Sequence, residues 1–600
     1  MFIRRTTIKS RQNAEPYYTY RLVESERVDG KMKQRIILNL GRHFEVPKPD
    51  WHALSSRIEQ LLDGQNTLLS LELPTELEAL AQRYAAQILA SRGEQTSTVD
   101  AFSSVVLDSM ELVRPRRVGT EQLALHAMEQ LGLQDKLVEL GFNRHQLAAA
   151  LGNIVARMAF PASERASHQW LQQRSGLGEL LGYDFEAMGL DRLYQASDQL
   201  WKHKAALEGH LYGRAQGLFG FEETITLFDL TNTFFEGEMK GVAKAQRGRS
   251  KEKRSDCPLI TLGLVLDGSG FPRRSEFFAG NASEPETLET MLTGLNSCPG
   301  STVVMDAGIA TETNIAWLVA QGYRYLVVSR QRQRQFDDEQ AVTVKQGPGQ
   351  TVRVQRVVNE DTGEVELYCH SQARELKEQA MQDKFSERFE SALQSLSEGL
   401  TKKGTTKRYD KILERIGRLK EKYRRVAQHY VITVEHDDTR DKATAIHWVR
   451  EEKAHTQATH PGVYCLRTDL VDWDEKTLWQ TYTMLTDLEA VFRSLKSELG
   501  MRPNYHQKAI RIEGHLFITL LAYHLVHTLR IQLKSQGIDD SWETLRRKLE
   551  NQQRITVSLK RDDGKTLHIR KTTRAEPQQK AIYDALGVAQ QPGHTDKTLI

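Results

Sequence analysis

The stretch from residue 222 to 330 constrains the fold of this chain more than any other. "ETITLFDLTNTFFEG" is an apolar, β-branched run of strand type with a single acid, Asp229, in its middle. "CPLITLGLVLDGSGFPRRSEFFAG" follows as two more strands around an Asp-Gly-Ser-Gly turn. Then come the helix "EPETLETMLTGL", the strand "STVVMDAGIA" with Asp306 at its end, the helix "TETNIAWLVAQG" and the strand "YRYLVVSR". Three consecutive strands followed by alternating helices and strands predict an α/β layer built on a mixed sheet. An acid inside such an apolar strand costs several kcal/mol unless it is paired or binds a cation. Asp229 therefore needs an explanation. Asp306, where a strand meets a helix, has a simpler alternative as a helix cap.

The rest of the chain divides around this stretch. Residues 1–48 read as a small basic β unit; its first 45 residues hold ten Lys/Arg against five Asp/Glu, and its strands alternate around a turn at Asp29-Gly30. Residues 49–217 carry mostly helical patterns punctuated by Gly and Pro. The α/β pattern occupies 218–335, is interrupted over 336–472 by strands and a long charged helical stretch, and resumes over 473–538. Residues 539–600 form an α/β tail. Within 401–427 there are eleven Lys/Arg against three Asp/Glu, a pattern that suits a solvated helical face and a DNA-facing one equally.

Composition excludes several classes. The 39% hydrophobic and 27% charged content is ordinary for a globular chain, and the formal net charge is only +3. Four cysteines (Cys257, Cys298, Cys369, Cys465) with no CxxC spacing argue against a disulfide scaffold or a zinc ribbon and suit a reducing cytoplasm. "MFIRRTTIKSRQ" has no apolar core and is not expected to be a signal peptide. "HLFITLLAYHLVHTLRI" (515–531) stops short of a membrane span and reads as a buried helix whose three His are core hydrogen-bonders rather than ligands. No membrane association is expected. "DGKT" (563–566) lacks the first Gly of a phosphate-binding loop, and neither a GxSxG elbow nor an HExxH motif occurs.

"YTMLTDLEAVFRSLK" (482–496) reads as one helix. At about 100° per residue, Met484, Leu488, Val491 and Leu495 fall on a core stripe. Tyr482, Leu485, Glu489, Arg493 and Lys496 share the neighbouring side. Alone, that polar stripe is a solvated face with a Glu489–Arg493 pair at i,i+4. Together with Asp229 and Asp306, Glu489 completes a set of three carboxylates: one in the first strand, one at a later strand end and one on a helix. Such a set at a sheet edge is an oxygen donor set for two Mg²⁺ ions, which clamp the attacking and leaving oxygens of a phosphodiester. Arg493 and Lys496 are placed to hold phosphates beside them.

The spacing Tyr482-x2-Leu485-x3-Glu489-x6-Lys496 resembles the Tyr-x2-Arg-x3-Glu-x6-Lys signature of DDE transposases of the insertion-sequence-four superfamily. "LFDLTNTFFEG" and "VVMDAGIAT" are similar to the regions around that family's two aspartates. "RPNYHQKAIRIEGHLFITLLAYHL" resembles the insertion-sequence-sixteen-thirty-four group. The resemblance implies an RNase H-like catalytic core interrupted by a mainly β insertion and preceded by the small β unit and the helical domain. It also implies Mg²⁺-dependent cutting at transposon ends, with Mn²⁺ able to substitute, and joining of the ends to target DNA. It carries the catalytic and metal-binding roles to Asp229, Asp306 and Glu489, and DNA contacts to Tyr482 and Lys496. By placement, Tyr464 stands where some relatives stack a Trp on a flipped base, with a core Tyr as the alternative. Leu485 stands where the family has Arg, which puts a hairpin route in doubt unless Arg493 substitutes.

The basic loop "KGVAKAQRGRSKEKR" (240–254) holds seven Lys/Arg against one Glu and is expected to clamp phosphates through Lys251, Lys253 and Arg254. Residues 1–215 are expected to bind the terminal inverted repeats, with the helical part over 49–217 as the end-binding domain. A dimer is expected in the DNA complex, because two ends must meet. The alternatives are a metal-dependent nuclease of the same fold without strand transfer, and a non-catalytic DNA-binding relative.

Overall fold

The fold is described from a computed structural model, and the structure describes residues 1–9, 16–28, 31–41, 44–62, 73–92, 103–221, 224–249, 254, 256–295, 297–330, 333–439 and 441–600. The turn expected at Asp29-Gly30 lies outside them.

The strand Ile225–Phe234 lies third from one edge of a nine-stranded sheet. On one side it pairs antiparallel with Leu259–Asp267, which pairs antiparallel with Pro272–Ala279. On the other it runs parallel to Thr302–Met305, which runs parallel to Arg324–Val328. Numbered along the chain, these five strands lie in the order 3-2-1-4-5 with only the second reversed, which is the RNase H-like arrangement. Both faces of the sheet are covered, so its strands are continuous apolar runs rather than alternating ones. Phe228, Leu230, Val303 and Met305 pack on one face against the helices Leu288–Leu292 and Glu312–Ala320. Leu227, Leu264, Val304 and Leu326 face the other way, into the main core shared with the helices Glu475–Arg493 and Ala509–Ser535.

The stretch 336–472 does not stay together as one insertion. Val463–Thr468 pairs with Arg324–Val328, and Val365–Ser371, Val352–Val358 and Val342–Lys345 continue outward, so four strands extend the central sheet. Burial of Val352, Val354, Val365 and Leu367 in the main core explains the extension. The helices Gln372–Thr401 and Tyr409–Lys422 and the hairpin Tyr430–His436/Ala443–Arg450 form a separate unit around Phe389, Leu393, Ile412, Ile416 and Ile446.

Two further boundaries shift. The three-stranded N-terminal sheet shares its core with the helices Trp51–Leu62 and Thr75–Arg92 through Leu22, Leu38, Leu54 and Ile58, so this unit runs past residue 48. Within the stretch expected to be helical, Val105–Arg117 is a strand; it pairs with Gln553–Arg561 and joins the tail in a four-stranded sheet. The helices Gly119–Gln130, Arg144–Ala159 and Leu190–Lys202 surround the long apolar helix Ala509–Ser535. Gly514 permits the closest of these approaches: a Cβ there would lie 2.9 Å from the Ser197 carbonyl oxygen. The long helix is apolar enough to cross a membrane by length and composition, but 78% of its apolar window is buried inside the protein, as expected of a core helix.

Candidate active site

Side chains alternate across a strand. Leu227 and Val304 enter the main core, so Asp229 and Asp306, two positions on, belong to the same face as the Glu475–Arg493 helix. Phe228 lies opposite Met305 in the parallel pairing, which brings Asp229 and Asp306 to one level just beyond it. Asp229 is half-buried, and its Oδ1 accepts from Leu230 N at 2.7 Å. Asp306 is exposed, and its Oδ1 accepts from Ala307 N at 2.6 Å. The following helix is capped by Thr311, whose hydroxyl accepts from Asn314 N at 3.1 Å, so Asp306 is not needed as its cap.

The third acid arrives on a helix fixed by burial. Leu488, Val491, Phe492 and Leu495 are buried, and Glu489 is exposed beside them. The α-helix ends at Arg493 and widens into a π turn, Ser494–Glu498, rather than continuing regularly through Lys496. Asp229, Glu489, Arg493 and Lys496 line a single cavity of about 300 Å³ together with Ser497 and Arg502. Arg502 opens the stretch "RPNYHQKAIRIEG" that carries part of the resemblance, but it is not among the expected site residues: it follows a Gly-Met break in a loop, where no periodicity distinguishes it from a surface cation. Tyr482 borders the site. Burial first, then the negative charge of Asp306 and more weakly of Glu489, push its hydroxyl up to about 12, so it stays protonated at working pH.

Other expected contacts are placed differently. Tyr464 packs against the main core, and its hydroxyl accepts from Trp479 Nε1 at 3.0 Å. The Arg374 guanidinium lies over its ring at 4.9 Å and the Tyr482 ring is 5.9 Å away, so one ring face is already covered. Leu485 is partly buried against the same core. In the basic loop, Lys251 and Lys253 lie outside the described residues. Arg254 forks onto Asp256 with two bonds of 2.8 Å and stacks 4.5 Å over Phe234, while Lys244 pairs with Glu513 at 2.7 Å. The described part of the loop is thus docked on the protein.

A second polar cluster lies away from this cavity. Among the described residues, the metal-ligating atoms of Glu164, His506 and His515 all fall within 4.8 Å of one another. Arg157 fits this buried cluster as its cation, with Nη2 at 3.0 Å from His515 Nδ1 and 4.0 Å from Glu164. Against the penalty of burial, His515 and His506 hold the Glu164 carboxyl well below its usual range. A metal ion would be repelled by that guanidinium. The carboxylates near the cavity, with all-oxygen donors and no competing ligand type, instead fit hard divalent cations.

An RNase H-like sheet with acids in the middle of its first strand, just past its fourth strand and on a covering helix defines a metal-dependent nucleic-acid-processing core. A family profile for the transposase DDE domain matches residues 221–525, and the chain belongs to that family: it is a DDE transposase, a DNA-transposing enzyme whose chemistry implies a divalent metal. A profile for the N-terminal domain of IS1634 family transposases matches residues 3–71. The cryo-EM structure of a piggyBac transposase synaptic complex with hairpin DNA is similar over 68% of this chain and 70% of that one, at 9% identity and a TM-score of 0.31. Among curated proteins, none matches the sequence.

Proposed function

We propose that the chain binds the ends of its own insertion sequence, cuts there by two-metal phosphodiester chemistry and joins the 3′-OH ends to target DNA. The observation that carries this reading is the shared cavity in which Asp229 and Glu489 meet Arg493 and Lys496, with Asp306 in register beside Asp229. Asp229, Asp306 and Glu489 hold the metals, a set of three carboxylates whose oxygen donors suit a pair of hard cations. When bound, two Mg²⁺ ions, or Mn²⁺ in their place, activate the attacking oxygen and stabilise the leaving one. Arg493 and Lys496 hold the phosphates that flank the cut. Tyr482, protonated, donates a hydrogen bond rather than carrying charge. Residues 1–215 hold the inverted repeats, and two copies act on two ends.

The test is incubation of the purified protein with a duplex carrying those ends, in Mg²⁺ and in EDTA. Asp229→Asn, Asp306→Asn and Glu489→Gln are each expected to slow cutting by a factor on the order of 10³ or more while DNA affinity holds, because a two-metal site loses its clamp when one ligand goes. Normal cutting by Glu489→Gln would refute the carboxylate assignment. Cutting without joining to target would identify a nuclease instead.

A further inference from the structure

We infer that Arg502 is a DNA-binding residue of the active site that holds a backbone phosphate next to the cut; this rests on the reading of the cavity as the cutting site. Arg502 lines the same cavity as Asp229 and Glu489, but it comes from the loop beyond the helix that carries Arg493.

Its backbone is stitched to the strand that carries Asp229. On one side of it, Met501 N donates to Leu495 O at 3.0 Å, and the Met501 carbonyl accepts from the Thr233 hydroxyl at 3.5 Å. On the other, Asn504 N donates to Phe234 O at 3.1 Å and the Asn504 carbonyl accepts from Glu236 N at 3.2 Å. Arg157 holds the Gly500 carbonyl at 3.1 Å, and His506 holds Glu164 at 2.7 Å. The guanidinium therefore springs from a frame with fixed register to the first carboxylate, the kind of support that a positioned contact requires.

Charge identifies the ligand. Three carboxylates loaded with two divalent ions leave a net positive site, and Arg493, Lys496 and Arg502 add three more positive charges. Only an anion balances that, and a planar fork with several donors matches a phosphodiester better than a point charge does. Arg502 is also half-buried, and burial lowers its pKa without removing its charge, so its attraction for a phosphate is less screened than that of a surface cation.

The experiment pairs protein and DNA changes. The full chain and its Arg502→Gln and Arg502→Lys variants are bound, in Ca²⁺, to end duplexes in which the linkages flanking the cut are replaced one at a time by uncharged methylphosphonate. For the native chain, one linkage is expected to cost about tenfold in affinity, and that cost to shrink to within about twofold in Arg502→Gln, with Arg502→Lys between them; the salt slope of Arg502→Gln falls by about one. Thermal melting establishes that the variants are folded. If no linkage loses its penalty in Arg502→Gln, the inference is overturned. Because this readout is binding, it stands apart from the cutting assay: normal cutting by Asp229→Asn would sink the active-site reading whatever Arg502 does.

Discussion

Tyr464 and Tyr482 lie ring to ring at 5.9 Å, and both pack partly buried against the main core. Tyr464 has its hydroxyl bonded by Trp479 and its ring capped by Arg374. Tyr464→Phe removes the acceptor and leaves the indole N–H unpaired, which is expected to cost about 1 kcal/mol. The urea midpoint should fall accordingly while cutting stays within about twofold of the native rate. A large loss of cutting at unchanged stability would restore Tyr464 as a base-stacking residue. Leu485 follows the same logic. It packs where relatives carry Arg, and the cations of this site are Arg493, Lys496 and Arg502 instead. A one-residue departure from a motif is readable in sequence; the loop residue that shares the cavity is not, because loop positions carry no period that points them inward.

The helix that carries Glu489 shows how far an element can be read. Its Leu488, Val491 and Leu495 recur at helical spacing, so the core stripe was legible and is buried. Leu488→Ala should cost about 2–5 kcal/mol in denaturant unfolding, as a fully buried Leu does. The π turn at Ser494–Glu498 was not legible, because it depends on what packs around it: Leu499 N reaches back to Ser494 O, and Met501 N to Leu495 O. The strand Val105–Arg117 was missed for a related reason. It exposes Leu107, Met110 and Leu112, so no buried period marks it, and its partner strand lies at the far end of the chain. The long apolar helix gives a pH prediction. Burial first, and His527 second, push the His524 imidazole down to about 3, against about 6.5 in an unfolded chain. Between those values the unfolded chain takes up a proton that the folded one refuses, so stability falls as pH drops, by about 1.4 kcal/mol per unit. His524 Nδ1 is buried with no hydrogen-bond partner. His524→Leu should therefore hold or raise stability at pH 7 and flatten the acid limb between pH 6 and 4 by about that slope. Denaturant midpoints at three pH values measure both effects, and an unchanged slope would show that His524 is not protonated on unfolding.

At the scale of the whole molecule, the tail is a wall of the helical unit rather than an appendage. Trp542 is fully buried, with Nε1 donating to Met158 O at 3.0 Å. Glu179, in the helical unit, accepts from Arg554 Nε at 2.7 Å and from Arg570 Nη2 at 2.6 Å, both on tail strands. Arg554 is only 2% exposed, and its remaining donors reach the Pro592 and His594 carbonyls and, at 3.2 Å, the Asp596 carboxylate. Those two guanidiniums carry their charge inside the protein because Glu179 answers both and Asp596 adds a second carboxylate to Arg554, and they in turn hold the Glu179 carboxyl below its usual range against the penalty of burial. Removing Glu179 takes the paired carboxylate from the buried Arg570 and leaves Arg554 with Asp596 alone, a loss of the kind that runs to about 3–5 kcal/mol where a buried pair is broken. Glu179→Ala is therefore expected to destabilise the chain by about 3 kcal/mol, well beyond an ordinary surface substitution. The effect should appear in one cooperative transition reported both by Trp542 fluorescence and by far-ultraviolet circular dichroism. If the fluorescence change separates from the main transition, the tail unfolds alone. The strand Val105–Arg117 would then lose its partner while the catalytic sheet persists, and an isolated core beginning at residue 218 would be expected to keep its fold. A single transition means that the long apolar helix, the helices around it and the tail strands hold the catalytic sheet as one body.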